Sequence, residues 1–288
     1  EFYMTKISDL RDLIESPGIV VLPGAHDVLS ARLIEQEGFP VVFTSGFGLS
    51  ASSLGVPDVG LLTQTETLDR VKRIVDAVSV PVVADMDTGY GNPVNVIRTV
   101  RECVSVGAAG IILEDQVWPK RCGHMGGKSV IPMEEHVEKL RAAVYARSDS
   151  GLIIIARTDA RAPLGLEEAI RRGQIYADEG ADVIFVEAPE SIDDMKVIAD
   201  SIEKPLFANM IEGGKTPFLS ANELEDLGFK MVVYPLSGLF AATKAIQEVV
   251  SHLMRTGTTS GYDRISSFGE FEKVVDLDRY RELEARFS

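Results

Sequence analysis

Cysteine is nearly absent from this chain of 288 residues: Cys103 and Cys122 are the only two. They form no Cys-x-x-Cys pair and no disulfide framework, so a reducing cytoplasm is the expected compartment. Histidine is almost as scarce, with four residues, and tryptophan occurs once. Zinc-ligand spacing is therefore missing, since only His124 accompanies Cys122. Basic residues are also few: 29 Lys and Arg face 44 Asp and Glu, a formal net charge of −15. A surface that acidic repels phosphate backbones, which excludes nucleic acid as an expected partner. No apolar run approaches the roughly 20 residues of a membrane helix. A membrane partner is not expected either, and the first residues do not read as a secretory leader. Low-complexity tracts and linkers are lacking. What remains is a globular composition, 45% hydrophobic and 25% charged.

What the chain does have is alternation. Short runs rich in Val and Ile recur at 19–24, 40–46, 81–87, 110–116, 152–160, 182–188, 205–210 and 231–236. Continuous apolar runs of this length suit strands buried on both faces of a parallel sheet. Helical patterns separate them. "TETLDRVKRIVDAV" (65–78) puts Leu68, Val71, Ile74, Val75 and Val78 on one face, and "GLEEAIRRGQIYADEG" (165–180) has acids at its start and Gly at its end. About eight β-α repeats predict an α/β fold, a (β/α)8 TIM barrel. A doubly wound open sheet is the alternative, but "LPGAHD" after the first strand is no Gly-rich phosphate loop. The barrel is expected to span 1–258, with 259–288 a helical extension of the same domain. In that extension 271–287 reads as one added helix, whose apolar face needs a partner such as a second subunit. Two connections read as long loops, 47–64 and the one after the fourth strand.

The strands end in chemistry rather than in turn residues. Ser45 and Gly46 end the second, Asp85 and Asp87 the third, Glu114 and Asp115 the fourth, Arg157 and Asp159 the fifth, Glu187 the sixth and Asn209 the seventh. In a barrel these ends share one mouth, where active sites are built. Asp85 and Asp87 lie two apart and so point to the same side of the strand. With Glu114 they make an all-oxygen candidate site, which favours Mg²⁺, or Mn²⁺ in its place, over Zn²⁺. Helix-capping is the plainer role for such acids. Arg157 offers a planar fork to a substrate carboxylate or a developing enolate.

Cys122 lies in "WPKRCGHMGGKSVIP" (118–132), among Lys120, Arg121, His124, Lys128 and three glycines. A thiol among cations in a glycine-rich loop suits acid/base or nucleophilic chemistry in a closing lid. A small residue with no role is the alternative. Cys103 falls in a predicted helix. His136 and His252 are expected on helix surfaces, and His26 joins no constellation.

"EDQVWPKRCGH", with "ADMDTGYGN" upstream and "ARTDARAPLGLEEAIRR" downstream, resembles the isocitrate lyase/phosphoenolpyruvate mutase superfamily over nearly the whole chain. "KRCGH" places the resemblance in its carbon–carbon lyase branch. "VWPKRCGHMGGK", "NMIEGGKTP" and "RELEARFS" are most similar to 2,3-dimethylmalate and petal-death-type 2-alkylmalate lyases. The resemblance implies a barrel whose C-terminal helix is swapped between subunits of a homotetramer. It implies Mg²⁺ at Asp85 and Asp87 with Glu114 close by, largely through water. Ser45, Gly46 and Phe47 would hold a substrate carboxylate, Gly123, Arg157, Glu187, Asn209 and Pro235 would line the pocket, and Lys120 to His124 would form a gating loop near Asp58. The implied reaction cleaves a 2-hydroxy dicarboxylate to a 2-oxo acid and a carboxylate. Cys122 would protonate the carbanion, with Lys120, His124, Arg157 and Asp58 as the other catalytic groups. Asp58 or a metal-linked water would be the base, and a thiol pKa near 8.5 would suit the proton transfer.

The departures from the family pattern bear on substrate. Methylisocitrate lyases have Tyr at Phe43, Gly at Phe47 and Arg at Phe240, where the Arg helps hold a third carboxylate. A dicarboxylate with alkyl substituents, of the 2-alkylmalate or 2,3-dimethylmalate type, is therefore expected over a tricarboxylate. Oxaloacetate hydrolases place Ser at Pro235, which disfavours that activity. Two other readings compete: P–C bond chemistry of the carboxyphosphonoenolpyruvate or phosphoenolpyruvate mutase type, and a non-catalytic dicarboxylate-binding barrel.

Overall fold

Eight parallel strands alternate with helices in a computed structural model that describes residues 2–124 and 126–288. In chain order the first elements are α1 (Phe2–Glu15), β1 (Val20–Ala25), α2 (Val28–Gln36), β2 (Val42–Thr44), α3 (Gly46–Leu54), α4 (Gln64–Ala77), β3 (Val82–Asp85), α5 (Pro93–Val106), β4 (Gly110–Glu114) and α6 (Met133–Arg147). They continue as β5 (Ile153–Thr158), α7 (Arg161–Leu164), α8 (Leu166–Asp178), β6 (Val183–Val186), α9 (Ile192–Ser201), β7 (Phe207–Asn209), α10 (Ala221–Asp226), β8 (Met231–Tyr234), α11 (Ser237–Thr256), α12 (Phe268–Val274) and α13 (Leu277–Phe287). Every predicted strand is present. The sheet runs β6-β5-β4-β3-β2-β1-β8-β7. Its seam is joined by a parallel bridge between Ile184 and Leu206, where the Ile184 N–H donates to the Pro205 carbonyl at 2.9 Å. The expected (β/α)8 TIM barrel is the fold.

Two apolar layers follow from the two faces of each strand. Val20, Leu22, Phe43, Val83, Ile112, Ile155, Phe185, Phe207 and Val233 pack inside the barrel, and Ile7 and Leu10 of α1 join them. The residues of opposite parity, such as Val42, Ala84, Ile111, Ile154 and Val232, meet the helices outside. β1 and β8 come close at Gly24, where a Cβ would lie 2.1 Å from the Pro235 carbonyl oxygen. Only glycine fits there.

Three expectations need correction. The stretch 47–64 is not simply a loop, since it opens with α3, whose N-terminus Ser45 caps by accepting from the Gly48 N–H at 2.9 Å. The small residues of "GFGLSASSL" carry no amphipathic stripe, so periodicity does not reveal this helix. The terminal segment is two helices rather than one, broken where Asp276 adopts φ +56°. His136 is fully buried on α6, its ring centroid 4.7 Å from that of Tyr176. Burial first, then Lys139 and Arg172, push its pKa down to about 3, so it is neutral. His252 is partly exposed on α11, and Cys103 is buried on α5 as a helix residue. Among the described residues no helix is long and apolar enough to cross a membrane.

Candidate active site

Strand parity builds the barrel mouth. Two residues beyond the inward-facing Val83, Ile112, Ile155, Phe185, Phe207 and Val233 stand Asp85, Glu114, Arg157, Glu187, Asn209 and Pro235. The period of two carries the inner row from apolar core to polar site. Asp115 has the opposite parity and is turned away from the mouth, contrary to the sequence reading that paired it with Glu114. Its carboxylate accepts from Thr158 Oγ1 at 2.7 Å, the Asp159 N–H at 2.8 Å, and Arg172 Nη1 and Tyr176 OH at 2.9 Å each. It is a buried strut between barrel and α8.

The connection after β4 folds back over the mouth as a lid. Its base is a short antiparallel pairing, with Gln116 bridged to Val130 and the Val117 N–H donating to the Ser129 carbonyl at 2.9 Å. The Gln116 amide holds both the N–H and the carbonyl of Arg121, at 3.0 and 2.8 Å. Cys122 N–H donates to the Asp58 carbonyl at 3.2 Å. Met125 lies outside the described residues. The three glycines differ in what they do. Gly127 takes φ +76°, while a Cβ at Gly126 would meet nothing. A Cβ at Gly123 would lie 2.4 Å from Glu187 Oε1 and 2.6 Å from Arg157 Nη2. Gly123→Ala is accordingly expected to hinder lid closure and lower turnover about 10- to 100-fold without altering the unfolding temperature, as steady-state kinetics beside a thermal melt would measure.

Charge at the mouth is unbalanced. Six buried carboxylates (Asp58, Asp85, Asp87, Glu114, Asp159, Glu187) face three buried cations (Lys120, Lys128, Arg157). Lys120 Nζ lies 2.6 Å from Asp58 Oδ1 and 2.7 Å from Asp87 Oδ1. Burial lowers its pKa, but Asp87, Asp58 and Asp85 outweigh that and hold it well above the ordinary lysine range. Arg157 grips Asp159 with Nε at 2.8 Å and Nη2 at 3.0 Å, and stands 3.5 Å from Glu114 and 3.8 Å from Glu187. Burial pushes Asp87 up to about 6, against the pull of Lys120, and pushes Glu114 up against that of Arg157. Glu114 Oε1 is buried without a hydrogen-bond partner. Asp85 accepts from the Gly46 N–H at 3.2 Å and the Asp87 N–H at 3.1 Å. A divalent cation would relieve this excess, and Asp85, Asp87 and Glu114 are the residues that could hold it. Among the described residues no three acidic, Cys or His side chains form a complete ligand cluster.

Under the lid lies a cavity of about 40 Å³ lined by Phe43, Ser45, Phe47, Asp58, Asp85, Ile112, Lys120, Arg121, Cys122, Gly123, Arg157, Phe185, Asn209, Ile211, Val233, Pro235 and Leu236. That is room for a few waters, so a dicarboxylate needs the lid to move. Burial pushes the Cys122 thiol up to about 11, with Asp58 and Glu187 adding to it and the His124 N–H and Arg157 opposing. The thiol is therefore protonated at neutrality, with a pKa above the ordinary value the sequence reading gave it.

Most sequence-predicted residues reach this cavity, and the others stand just behind it. Asp87, Glu114 and Glu187 back the lining groups through the contacts above. Gly46 turns its N–H to Asp85. His124 is behind the lid: Nε2 lies 3.0 Å from Glu187 Oε1, and Nδ1 accepts from the Lys215 N–H at 2.9 Å. Burial raises the Glu187 pKa, but Arg157 and His124 leave it below the usual range. Asn209 Nδ2 donates to Glu187 at 3.3 Å. Sequence reasoning missed Ile112, Gln116, Phe185, Ile211, Val233 and Leu236, and named Lys128 only as a neighbour of Cys122. Strand parity would have found Ile112, Phe185 and Val233. Only the fold could place the others.

The model of the phosphoenolpyruvate phosphomutase family matches residues 10–254. The chain is 46% identical to 2,3-dimethylmalate lyase of Eubacterium barkeri, over 99% of both chains. It is also 46% identical to petal death protein of Dianthus caryophyllus, over 96% of this chain and 88% of that one. Identity to a chloroplastic carboxyvinyl-carboxyphosphonate phosphorylmutase of Arabidopsis thaliana is 47%, over 96% and 83%. A crystal structure of 2,3-dimethylmalate lyase superposes with a TM-score of 0.93 at 36% identity, covering 98% of this chain and 95% of that one. A phosphonopyruvate hydrolase complex with oxalate and Mg²⁺ gives 0.88 at 34%, covering 98% and 99%. Full-length identity to enzymes with this barrel, and the cysteine-bearing lid over its acidic mouth, lead to one conclusion: the chain belongs to the phosphoenolpyruvate mutase/isocitrate lyase superfamily.

Proposed function

We propose that the chain is a Mg²⁺-dependent carbon–carbon lyase that cleaves a 2-alkylmalate of the 2,3-dimethylmalate type to a 2-oxo acid and a short carboxylate. The observation that carries this is the Cys122 thiol, held protonated and lining one cavity with Arg157, Asp85 and a set of apolar side chains. Asp85, Asp87 and Glu114 would hold Mg²⁺, or Mn²⁺, largely through water. When bound, the ion would neutralise charge on substrate oxygens. Lys120 keeps its proton and bridges Asp58 to Asp87, which leaves Asp58 as the lining carboxylate that accepts the 2-hydroxyl proton. The C2–C3 bond breaks, C2 becomes the carbonyl of the 2-oxo acid, and the electron pair passes to C3 and its carboxylate. Arg157 stabilises that charge, and Cys122 delivers its proton to C3. Ser45 and Phe47 at the start of α3 and Asn209 orient the substrate. Gly123 and Pro235 shape the cavity, while His124 fixes Glu187 and the lid.

Dimethylmalate, citramalate, methylisocitrate and isocitrate, each supplied with Mg²⁺, test this by release of 2-oxo acid. Dimethylmalate is expected to be cleaved fastest. Tight binding of all four without release would make the protein a dicarboxylate-binding barrel instead. The identity to a carboxyphosphonate phosphorylmutase favours a second reading, P–C bond chemistry, which phosphorus NMR with phosphonate substrates would detect.

The oligomer we propose is a homotetramer with exchanged C-terminal helices, residues 259–288 extending the barrel domain 1–258. α11 buries none of its residues, and Phe240, Ile246, Val250, Leu253 and Met254 are exposed along it, as are Phe268, Phe271 and Tyr280 beyond it. These apolar faces are what a second copy would cover.

A further inference from the structure

The geometry points to Lys128 as a positioning residue: its ammonium is the post on which the lid tip closes and by which the Cys122 thiol is placed. The effect on rate rests on the lyase reading above, while the effect on the thiol does not. Lys128 Nζ donates to the Gly123 carbonyl at 2.5 Å and to Asp159 Oδ1 at 2.7 Å, and the side chain is almost wholly buried. Its backbone adjoins Ser129, whose carbonyl belongs to the paired base of the lid. The post is thus fixed at the base and reaches across to the tip. Asp159 cannot drift, because Arg157 holds both its oxygens and its N–H donates to Asp115 at 2.8 Å.

The tip is therefore pinned on both sides of the thiol. Cys122 N–H is tied to the Asp58 carbonyl, and the Gly123 carbonyl is tied to Lys128. A buried ammonium is costly unless it is paired, so the closed tip and Asp159 also stabilise Lys128 where it stands. Without the amine, the Gly123 carbonyl loses its donor, and the thiol is held from the Asp58 side while the other side is freed. Nothing in the mechanism proposed above assigns Lys128 a role.

Lys128→Met keeps the length of the side chain and removes the charge and donor; Lys128→Arg keeps both. With dimethylmalate, Lys128→Met is expected to lose about 10²-fold in kcat with KM within about threefold, and Lys128→Arg to recover at least about tenfold of that loss. Without substrate, iodoacetamide should label Cys122 about tenfold faster in Lys128→Met than in the parent, as read by peptide mass analysis. Cys103, fully buried, serves as the internal control. Parent-like labelling of Lys128→Met would overturn the inference, as would equal losses in the Met and Arg variants. If the parent releases no 2-oxo acid, the lyase reading fails while the labelling comparison still decides the role of Lys128.

Discussion

Cys122→Ala is expected to lower kcat about 10⁴-fold on 2,3-dimethylmalate, with KM within about threefold, because it removes the proton donor and little that binds ground-state substrate. Cys122→Ser should fare nearly as badly, since a hydroxyl is a far weaker acid than a thiol. The pH profile separates this role from a nucleophilic one. The thiol is pushed up to about 11 from its ordinary 9.0, mainly by burial. The protonated form is the working form of a general acid. It is fully populated at neutrality and is lost only as pH rises through about 11. Turnover should therefore show no alkaline limb from this group below about pH 10. A thiolate nucleophile would instead gain activity over the same range. The same shift acts on stability. A raised folded-state pKa contributes stability that is complete below about 9 and fades as pH climbs to about 11. Iodoacetamide labelling against pH measures the thiol directly, and a thiolate already formed at neutral pH in the closed protein would sink the assignment. Full activity in Cys122→Ser would sink it from the kinetic side.

The sequence announced most of this site because strand parity and lid chemistry are both local. Asp85, Glu114, Arg157 and Glu187 follow apolar strands in the same period of two, so their convergence needs only the barrel to be inferred. Asp115 shows where that reasoning stops. It sits beside Glu114 in sequence, yet parity turns it outward, and its partners Arg172 and Tyr176 come from a helix more than fifty positions later. Lys128 stops it differently. In sequence it is only one of the cations around Cys122, and it is the fold-back of the lid that buries its amine against Asp159. The thiol pKa was misjudged for a related reason. The sequence reading gave it an ordinary value near 8.5, but Lys120 and Lys128 are spent on carboxylates and burial dominates. α3 and the break at Asp276 were invisible because small residues and a single left-handed Asp carry no periodic signal. The sequence reading saw a helix lacking something to cover it at 271–287, but not the exposed apolar face of α11 before it.

Phe240→Arg is expected to shift substrate preference about 10³-fold, through a roughly tenfold loss in kcat/KM for 2,3-dimethylmalate and a roughly 10²-fold gain for methylisocitrate. Phe43, Phe47, Ile211, Val233, Pro235 and Leu236 are the apolar part of the cavity lining, and none of them offers a charge to a substrate group lying against them. A third carboxylate placed there would lose its hydration and gain no partner, which costs several kcal/mol. An alkyl group in the same place is simply buried. Phe240 supports this wall from behind, edge-on to Phe47 with centroids 6.2 Å apart. An arginine at this position, beside the Phe47 ring, can turn its guanidinium inward when a carboxylate arrives. The losing side of the exchange comes from Phe47, which no longer has a ring to pack on. Phe240→Leu separates the two contributions: it should reproduce part of the dimethylmalate loss and none of the methylisocitrate gain. Competition assays with both substrates in one vessel read the ratio directly. If the parent enzyme already cleaves methylisocitrate as fast as dimethylmalate, the apolar wall is not what selects substrate, and selection must lie with the charged groups on the Arg157 side.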